Sequence, residues 1–366
     1  MSIRLLQFGD LHLDAPFTSL CDFEGRPHQR RQDLKRTLSR IIDLALSEGP
    51  DILLVCGDLY EHAYTEKSSI NFVCSQFDRI ADIPVLMIPG NHDPLVPGSF
   101  YSGHAWPSNV HILGAGDMFE HTSSHTRVYG AAAGVTTDPS YINILMHHGT
   151  LDMPFSANAF QPISGKEIEE QGFDYCALGH FHSRISGPGP GGICFNAGSP
   201  EPLGFDEEGD HGVLLSVIEK EREKRAVISS SFIKLCSRRA VSLEADIGGC
   251  LSNEQAAELV EAEIRKAGSS DDLFRVTLKG RIPSDIRIDP EIITEQTADK
   301  VFYIKIIDET APDYDLEQIS REQGLRGLFV RKMLERASAA GQEESRLVMQ
   351  ALYYGLEAID EGKVCV

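Results

Sequence analysis

The sequence IPGNHD at positions 88–93 follows a short apolar run, 83–87, that predicts a buried β-strand. Pro94, directly after it, prevents a simple continuation of the chain as helix or sheet. Gly90 allows the backbone to turn sharply where the strand ends. The glycine is followed by an amide, an imidazole and a carboxylate, all of which can bind a metal ion or take part in catalysis. Taken alone, the stretch also fits an ordinary polar loop, so its meaning depends on the rest of the chain.

The chain around this stretch alternates between strand and helix patterns. Buried strands are predicted at 3–8, 51–56 and 83–87, and helices at 27–46 and 68–80. This β-α-β-α-β order predicts parallel strands that are joined by helical crossovers. In such sheets the functional groups gather beyond the carboxyl ends of the strands.

Later segments predict a second sheet and a separate C-terminal region. Further strands are predicted at 109–113, 127–133, 141–146, 173–178, 193–195 and 212–218. The charged cluster 219–225 marks a plausible boundary, since the polar clusters stop there. Beyond it, the patterns predict a helix at 253–267, strands at 272–279 and 300–307, and a helical end over 326–361. We therefore predict the α/β class, with a two-sheet domain over 1–222 and a smaller α+β domain over 223–366.

The composition limits the partners and the compartment. Lysine and arginine number 34 against 55 aspartates and glutamates, which gives a formal net charge of −21 and argues against tight, unassisted DNA binding. The eight cysteines are scattered without any Cys-x-x-Cys, which is typical of reduced thiols in a cytoplasmic protein. No stretch reaches the roughly 18 apolar residues that cross a bilayer, and the first ten residues do not resemble a signal peptide. We expect a cytoplasmic protein without a membrane segment.

Polar side chains follow five of the predicted strands. They are Asp10 and His12, Asp58, Asn91 and His92, His147, and His180 and His182. The Asp-x-His and His-x-His spacings place two ligands on one side of an extended chain. Carboxylate, imidazole and amide groups without thiolates suit Mn, Fe or Zn ions outside a closed structural zinc site. Even without His92, the seven remaining groups exceed the needs of one ion and fit two ions about 3.5–4 Å apart, a pair that activates water against a phosphate ester.

These clusters carry a family resemblance. DLHLD at 10–14, GDLY at 57–60, GNHD at 90–93, HHG at 147–149 and GHFH at 179–182 resemble, in this order, the calcineurin-like metallophosphoesterases. With GSPEPL at 198–203, the wording is closer to the SbcD/Mre nuclease family and its YhaO-like bacterial branch. The resemblance implies an α/β/β/α sandwich over about 1–218 with a C-terminal capping domain.

The resemblance also implies a role for each matching residue. One metal would be held by Asp10, His12 and His182, the other by Asn91, His147 and His180, with Asp58 between them. His92 would stabilise the transition state or protonate the leaving oxygen, and Asp93 would orient His92. His148 is the alternative to His147, which we prefer because it matches the family's His-x-Gly spacing.

The implied activity is two-metal hydrolysis of phosphodiester bonds by a DNA exonuclease or endonuclease in DNA repair, with Mn²⁺ as the expected ion and Fe or Zn as alternatives. The implied partners are DNA, an SbcC-like coiled-coil ATPase subunit and a second copy of the chain in a homodimer. The alternatives are a phosphodiesterase or phosphatase for small molecules or proteins, and an inactive scaffold that binds DNA and an ATPase partner. His62, Arg31 and Lys35 are candidate substrate contacts, although a solvated surface position is the plainer interpretation of each.

Overall fold

The computed structural model describes residues 1–20, 25–130, 135–152, 159–185, 192–222, 224–284 and 286–361. The chain forms two compact units. The N-terminal unit comprises Met1–Val241 with Asp271–Leu273, and the C-terminal unit comprises Ser242–Ser270 with Phe274–Val366. In the described ranges, none of the helices combines the length and apolarity that a membrane crossing requires.

The elements alternate along the chain much as the sequence predicts. The strands are β1 (Ser2–Phe8), β2 (Ile52–Cys56), β3 (Val85–Ile88), β4 (Val110–Ile112), β5 (Met118–His121), β6 (Thr126–Gly130), β7 (Ile142–His148), β8 (Tyr175–Gly179), β9 (Cys194–Asn196), β10 (Gly212–Glu219), β11 (Val227–Lys234), β12 (Ala240–Asp246), β13 (Leu273–Lys279), β14 (Arg281–Pro283), β15 (Tyr303–Asp308) and β16 (Ala311–Asp313). The helices are α1 (Arg26–Glu48), α2 (Lys67–Asp78), α3 (Phe100–Gly103), α4 (Gly165–Glu170), α5 (Asn253–Ala267), α6 (Pro290–Thr297), α7 (Leu316–Arg321), α8 (Leu325–Ala339) and α9 (Gln342–Glu361).

The first sheet of the N-terminal unit has the order β11-β10-β1-β2-β3-β4. Its strands β1 to β4 run parallel, as the β-α-β-α-β order predicts, and β10 returns antiparallel beside β1. Every residue of β2 and β3 is buried, which is the pattern of parallel strands that are covered on both faces. The carboxyl ends of β1, β2 and β3 therefore lie side by side.

The second sheet has the order β5-β6-β7-β8-β9, and β6 to β9 run parallel. The two sheets pack face to face through one apolar cluster that includes Leu5 and Leu54 from the first and Met146 and Ala177 from the second. On α1, an apolar stripe is buried along Leu34–Ala45 and covers the sandwich. The predicted two-sheet sandwich is confirmed.

The N-terminal unit extends beyond the boundary predicted between 222 and 223. Strand β11 pairs with β10 over all eight of its residues, from Val227 opposite Glu219 to Lys234 opposite Gly212. The described part of the charged segment, up to Arg222 and from Lys224 on, thus lies between β10 and β11 inside the unit, where charge is also expected because most loops face water.

The C-terminal unit is built of β13 and β15, most of β12, the parallel pair β14 and β16, and helices from α5 onward. Its helical end is two helices, α8 and α9, where the sequence predicts one over 326–361. The interruption falls at Ala340, which has an extended backbone, and Gly341. The two helices share an apolar core that contains Val330, Leu352 and Leu356.

Candidate metal centre

The polar groups that the sequence singles out come together at the carboxyl ends of β1, β2, β3, β7 and β8. The loops that carry them are tied to each other directly. The backbone N–H of His92 donates to Asp58 Oδ1 at 2.7 Å, and that of His180 donates to Asp10 Oδ1 at 2.9 Å. The backbone N–H of His12 donates to the carbonyl of Asp58 at 3.0 Å. The second sheet is thereby fixed to the first at the site.

The loops adopt backbone conformations that side-chain-bearing residues seldom use. The φ angles of Asp10, His12, Asp58 and His180 are 54°, 49°, 49° and 94°. Non-glycine residues in this region cost about 1–2 kcal/mol each and cluster at functional sites. Gly90 is required by packing instead, because a Cβ there would meet Asp58 Oδ1 at 2.2 Å. The local strain and the close packing both serve to aim these side chains at one point.

The first group of candidate ligands is Asp10, His12 and His182. One donor atom from each lies within 4.8 Å of the others. The Nε2 atoms of His12 and His182 face each other at 3.1 Å, and the side chains of Asp10 and His12 are buried. Two imidazole nitrogens that converge beside a carboxylate offer the lone pairs that a divalent cation requires, so these residues fit a metal ion.

The second group is centred on Asp58. Its Oδ2 lies 3.2 Å from His148 Nε2 and 3.7 Å from His12 Nε2, so the carboxylate stands between the two groups. Asn91 Oδ1 lies 3.0 Å from His148 Nε2 and 3.1 Å from His180 Nδ1. Asp10, Asp58 and His148 also present donor atoms within 4.8 Å of one another. The arrangement is that of a carboxylate shared by two metal positions.

The electrostatics agree with this assignment. Burial lowers the pKa of His148, but its hydrogen bond to Asp58 and the charge of Asp10 outweigh burial and raise the pKa to about 9. Burial likewise opposes protonation of His182, whose pKa is nevertheless raised to about 9 by Glu207. Protons are thus attracted to the positions where cations would bind, and metal binding would displace them.

His148, and not the preferred His147, lies in the cluster, and the ligand assignment is corrected accordingly. His148 shares a face of β7 with Ile144 and Met146, which belong to the core between the sheets, whereas His147 shares the opposite face with Leu145. His147 Nε2 is 2.8 Å from the carbonyl of Gln161, and its buried Nδ1 has no partner in the described residues. Strand parity therefore decides between two neighbouring histidines.

We expect His148→Asn to lower the metal content of the purified protein by about one ion per chain, because it removes a donor next to Asp58 and Asn91. His147→Asn, the matched control in the neighbouring position, should keep the wild-type metal content. Inductively coupled plasma mass spectrometry on the Mn²⁺-loaded proteins measures both. The opposite result, with metal lost only from the His147 variant, would return the ligand role to His147.

Asp93 does not orient His92, contrary to the prediction. Its buried carboxylate accepts hydrogen bonds from the backbone N–H groups of Asp58, Leu59 and Gly90 and from the hydroxyl of Tyr101, at 2.6–3.0 Å. Burial, followed by the charge of Asp58, raises the pKa of Asp93 to about 7. Asp93 fastens the loop after β2 to the loop after β3, and so positions the metal ligands.

Glu61 is the carboxylate that contacts His92, and the sequence reasoning missed it. Its Oε2 lies 3.0 Å from His92 Nδ1, and its Oε1 lies 2.8 Å from His12 Nδ1. This hydrogen bond raises the pKa of His92, whose side chain is 45 % exposed and therefore accessible to a substrate. The available signal was the spacing Gly57-Asp58-x-x-Glu61, which puts a second carboxylate three residues after the first in the same loop.

Glu207 was also missed, and no feature of the sequence pointed to it. Its Oε1 lies 2.7 Å from His182 Nδ1, and its Oε2 accepts hydrogen bonds from Ser199 Oγ and from the backbone N–H of Leu203. The GSPEPL segment at 198–203 thus reaches the site through Glu207. Carboxylates on the far nitrogens of His12 and His182 leave both Nε2 atoms free for a metal.

The candidate substrate contacts lie around this centre. His62 has an exposed side chain, and its backbone N–H donates to the carbonyl of His92 at 3.0 Å. Arg31 and Lys35 lie on α1, partly exposed, and line a cavity together with Asp14. Their assignment as substrate contacts stays a prediction.

Comparison with known proteins agrees with the geometry. Residues 3–184 match the family described as calcineurin-like phosphoesterases. The chain is 26 % identical to the uncharacterized metallophosphoesterase YhaO of Bacillus subtilis strain 168, over 89 % of this chain and 86 % of that protein. It is 24 % identical to the DNA double-strand break repair protein Mre11 of Saccharolobus solfataricus, over 56 % of each.

A solved structure, that of TT1561 from Thermus thermophilus, covers 63 % of this chain and 99 % of its own, with 12 % identity and a TM-score of 0.36.

The family match spans β1 to β8 and so contains every candidate ligand named above. Members of this family hydrolyse phosphoesters with divalent metal ions. The chain therefore carries a metallophosphoesterase domain of the calcineurin-like family, and its similarity to YhaO and Mre11 supports the branch that the motifs indicate.

Proposed function

We propose that the protein is a two-metal phosphodiesterase that cleaves DNA. The observation that carries the proposal is the convergence of two donor groups on the shared carboxylate of Asp58. The step from phosphoester to DNA is supported by the SbcD/Mre wording of the motifs and by the similarity to a relative that is named for double-strand break repair. We further propose Mn²⁺ as the ion, because oxygen and imidazole ligands without thiolates suit it, with Fe or Zn as alternatives.

The chain's own residues divide the work of hydrolysis. Asp10, His12 and His182 would hold one ion, and Asn91, His148 and His180 the other, with Asp58 between them. Bound there, the ions would polarise a phosphoryl oxygen and lower the pKa of a water molecule. His92 keeps Nδ1 on Glu61, which leaves Nε2 to donate a proton to the leaving oxygen. Glu61 and Glu207 hold the imidazoles of His12 and His182 in fixed orientations.

A small-molecule phosphodiester is the second candidate substrate. The formal net charge of −21 favours it, because a polyanion is repelled by a strongly acidic protein unless a local basic surface or metal ions overcome the repulsion. The remaining proposals are an SbcC-like ATPase partner, a homodimer, and a role of the C-terminal unit in choosing the substrate. Light scattering during size-exclusion chromatography tests the homodimer, and co-purification from lysate tests the ATPase.

The direct test compares substrates with the metal-loaded protein. Purified protein with Mn²⁺ should cleave end-labelled single- and double-stranded DNA, and EDTA should stop the reaction. If the protein hydrolyses bis(p-nitrophenyl) phosphate but does not cleave DNA, it is a phosphodiesterase and the assignment as a nuclease is wrong. Fewer than two bound ions per chain, together with no hydrolysis of any diester, would instead favour the scaffold.

A further inference from the structure

A cavity of about 480 Å³ in the N-terminal unit is lined by one face of α1 and by residues that follow His12 and Glu61 closely in the chain. One wall is a single face of α1, where His28, Arg31 and Lys35 recur at intervals of three and four residues. The opposite wall carries Tyr64 and Ser68 from the segment that follows Glu61 and begins α2. The cavity is therefore lined by cationic groups on one side and by an aromatic ring on the other.

Residues that line the cavity are close in sequence to the candidate ligands. Asp14, on its floor, is two residues after His12, so their Cα atoms are at most about 7.6 Å apart. The backbone N–H of Glu61 donates to the carbonyl of Leu13 at 3.0 Å, and that of Tyr64 donates to the carbonyl of Glu61 at 2.9 Å. Since a nucleic-acid strand advances only about 3.4 Å per nucleotide along a duplex axis, a nucleotide near the scissile phosphate can reach the cavity.

Arg31 is available for an external anion. Within the described part of the chain it has no ion pair and no hydrogen bond, although its neighbours Arg30 and Arg36 on the same helix are both paired with Asp33. An arginine without a carboxylate partner is notable in a chain that carries 55 acidic residues against 34 basic ones. A guanidinium fork matches a phosphate group, to which it can donate two hydrogen bonds.

The remaining lining groups suit a nucleotide better than a bare phosphate. Lys35 Nζ lies 3.8 Å from Asp14 Oδ1, so the ammonium group is held at the cavity. Asp14 Oδ2 is buried and has no hydrogen-bond partner in the described residues, which leaves an acceptor for a base amino group. Tyr64 is 58 % exposed and offers a ring face on which a base can stack. Glu66, which also lines the cavity, is engaged by Ser68 Oγ.

We propose that this cavity is a nucleotide subsite that binds a phosphodiester of the substrate strand next to the scissile one, through Arg31 and Lys35, and stacks the neighbouring base on Tyr64. The proposal rests on the proposed function, since it names how a nucleic-acid strand is held by the same site. It also gives an acidic chain a local contact for DNA, because the cavity lining includes Arg31, a cation without an acidic partner in the described residues.

The test uses the full-length, Mn²⁺-loaded protein, with a fluorescein-labelled twelve-residue oligothymidylate and bis(p-nitrophenyl) phosphate as substrates. Arg31→Gln with Lys35→Gln should raise KM for the oligonucleotide by at least about tenfold, because two charge-assisted contacts are lost. The salt dependence of log KM should fall by about 0.7, since the subsite binds one phosphate and a phosphate contact on a single strand contributes roughly that amount. kcat/KM for the small diester, which has no flanking nucleotide, should stay within about twofold.

Two further variants separate stacking and general charge from the subsite. Tyr64→Ala should raise KM for the oligonucleotide about tenfold, and Tyr64→Phe, which keeps the aromatic ring, should not. Lys166→Gln removes an exposed cation of α4 that does not line the cavity. It should change neither KM for the oligonucleotide nor kcat/KM for the small diester. An unchanged KM and salt slope in the double variant, or an equal loss in Lys166→Gln, would overturn the proposal. If no diester is hydrolysed, the proposed function fails by itself, and fluorescence anisotropy with the same oligonucleotide still decides whether Arg31 and Lys35 bind it.

Discussion

Asp58→Asn is expected to reduce phosphodiester hydrolysis at least about 10³-fold. The Asp58 carboxylate approaches both sets of candidate ligands, at 3.2 Å from His148 and 3.7 Å from His12. An amide of the same shape keeps one oxygen but loses the charge that two cations would share. Both ions should therefore bind more weakly. Mn²⁺ at the concentrations that suffice for the wild-type protein should not restore the rate.

The experiment pairs kcat for bis(p-nitrophenyl) phosphate with metal content and thermal stability. The wild-type protein should gain stability when Mn²⁺ is added, because an ion that binds only the folded chain shifts the unfolding equilibrium, and Asp58→Asn should lose most of that gain. Asp43→Asn, at an exposed carboxylate that is paired with Arg79 on the surface, is the matched control and should behave as wild type. A variant that keeps two ions and near-normal turnover would refute the shared-carboxylate arrangement.

The convergence of the ligands could be predicted because it depends on topology alone. Once 3–8, 51–56 and 83–87 are interpreted as parallel strands, their carboxyl ends must lie at one edge, and the polar residues that follow them must be neighbours. The same argument brings His180 and His182 to the edge of the second sheet. No side-chain geometry was required for this step, which is why it succeeded.

The sequence reasoning failed where the answer depended on which way a single side chain points. His147 and His148 differ by one position on a strand that is buried on both faces, so hydrophobic patterning could not show which of them faces the first sheet. For the same reason the role that was expected of Asp93, the contact with His92, belongs to Glu61. Asp93 is adjacent to His92 in sequence but points into the core, whereas Glu61 reaches His92 from another loop.

The boundary between the units was hidden for a different reason. The charged residues near 219–225 have the composition of a linker, but a connection between two antiparallel strands of one sheet, here β10 and β11, is also rich in polar residues because most loops face water. The strand pairing that distinguishes the two cases is a long-range property. The sequence of Val227–Lys234, VISSSFIK, does not alternate between apolar and polar residues, so its pattern did not indicate another strand of the same sheet.

His92→Gln is expected to show that the imidazole protonates the leaving oxygen. Its Nδ1 lies on Glu61, which raises the pKa of His92 and favours the protonated form that can donate from Nε2. The kcat for a thymidine dinucleotide, whose leaving alkoxide needs a proton, should fall about 10²–10⁴-fold, the range of a lost general acid. Thymidine p-nitrophenyl phosphate, whose leaving group departs as a stable anion, should be slowed far less.

The ratio between these two substrates separates the roles that remain open for His92. If the imidazole only stabilised charge on the phosphoryl oxygens, His92→Gln would slow both substrates equally, and the leaving-group explanation would fall. Glu61→Gln gives an independent check, because the amide can still accept a hydrogen bond from Nδ1 but no longer supplies a negative charge. We expect Glu61→Gln to lower kcat about tenfold for the dinucleotide and only slightly for the nitrophenyl ester. A tenfold loss is within the usual effect of removing a carboxylate that is hydrogen-bonded to an imidazole. The leaving-group dependence of Glu61→Gln must follow that of His92→Gln, since the structure connects the two side chains by a single hydrogen bond.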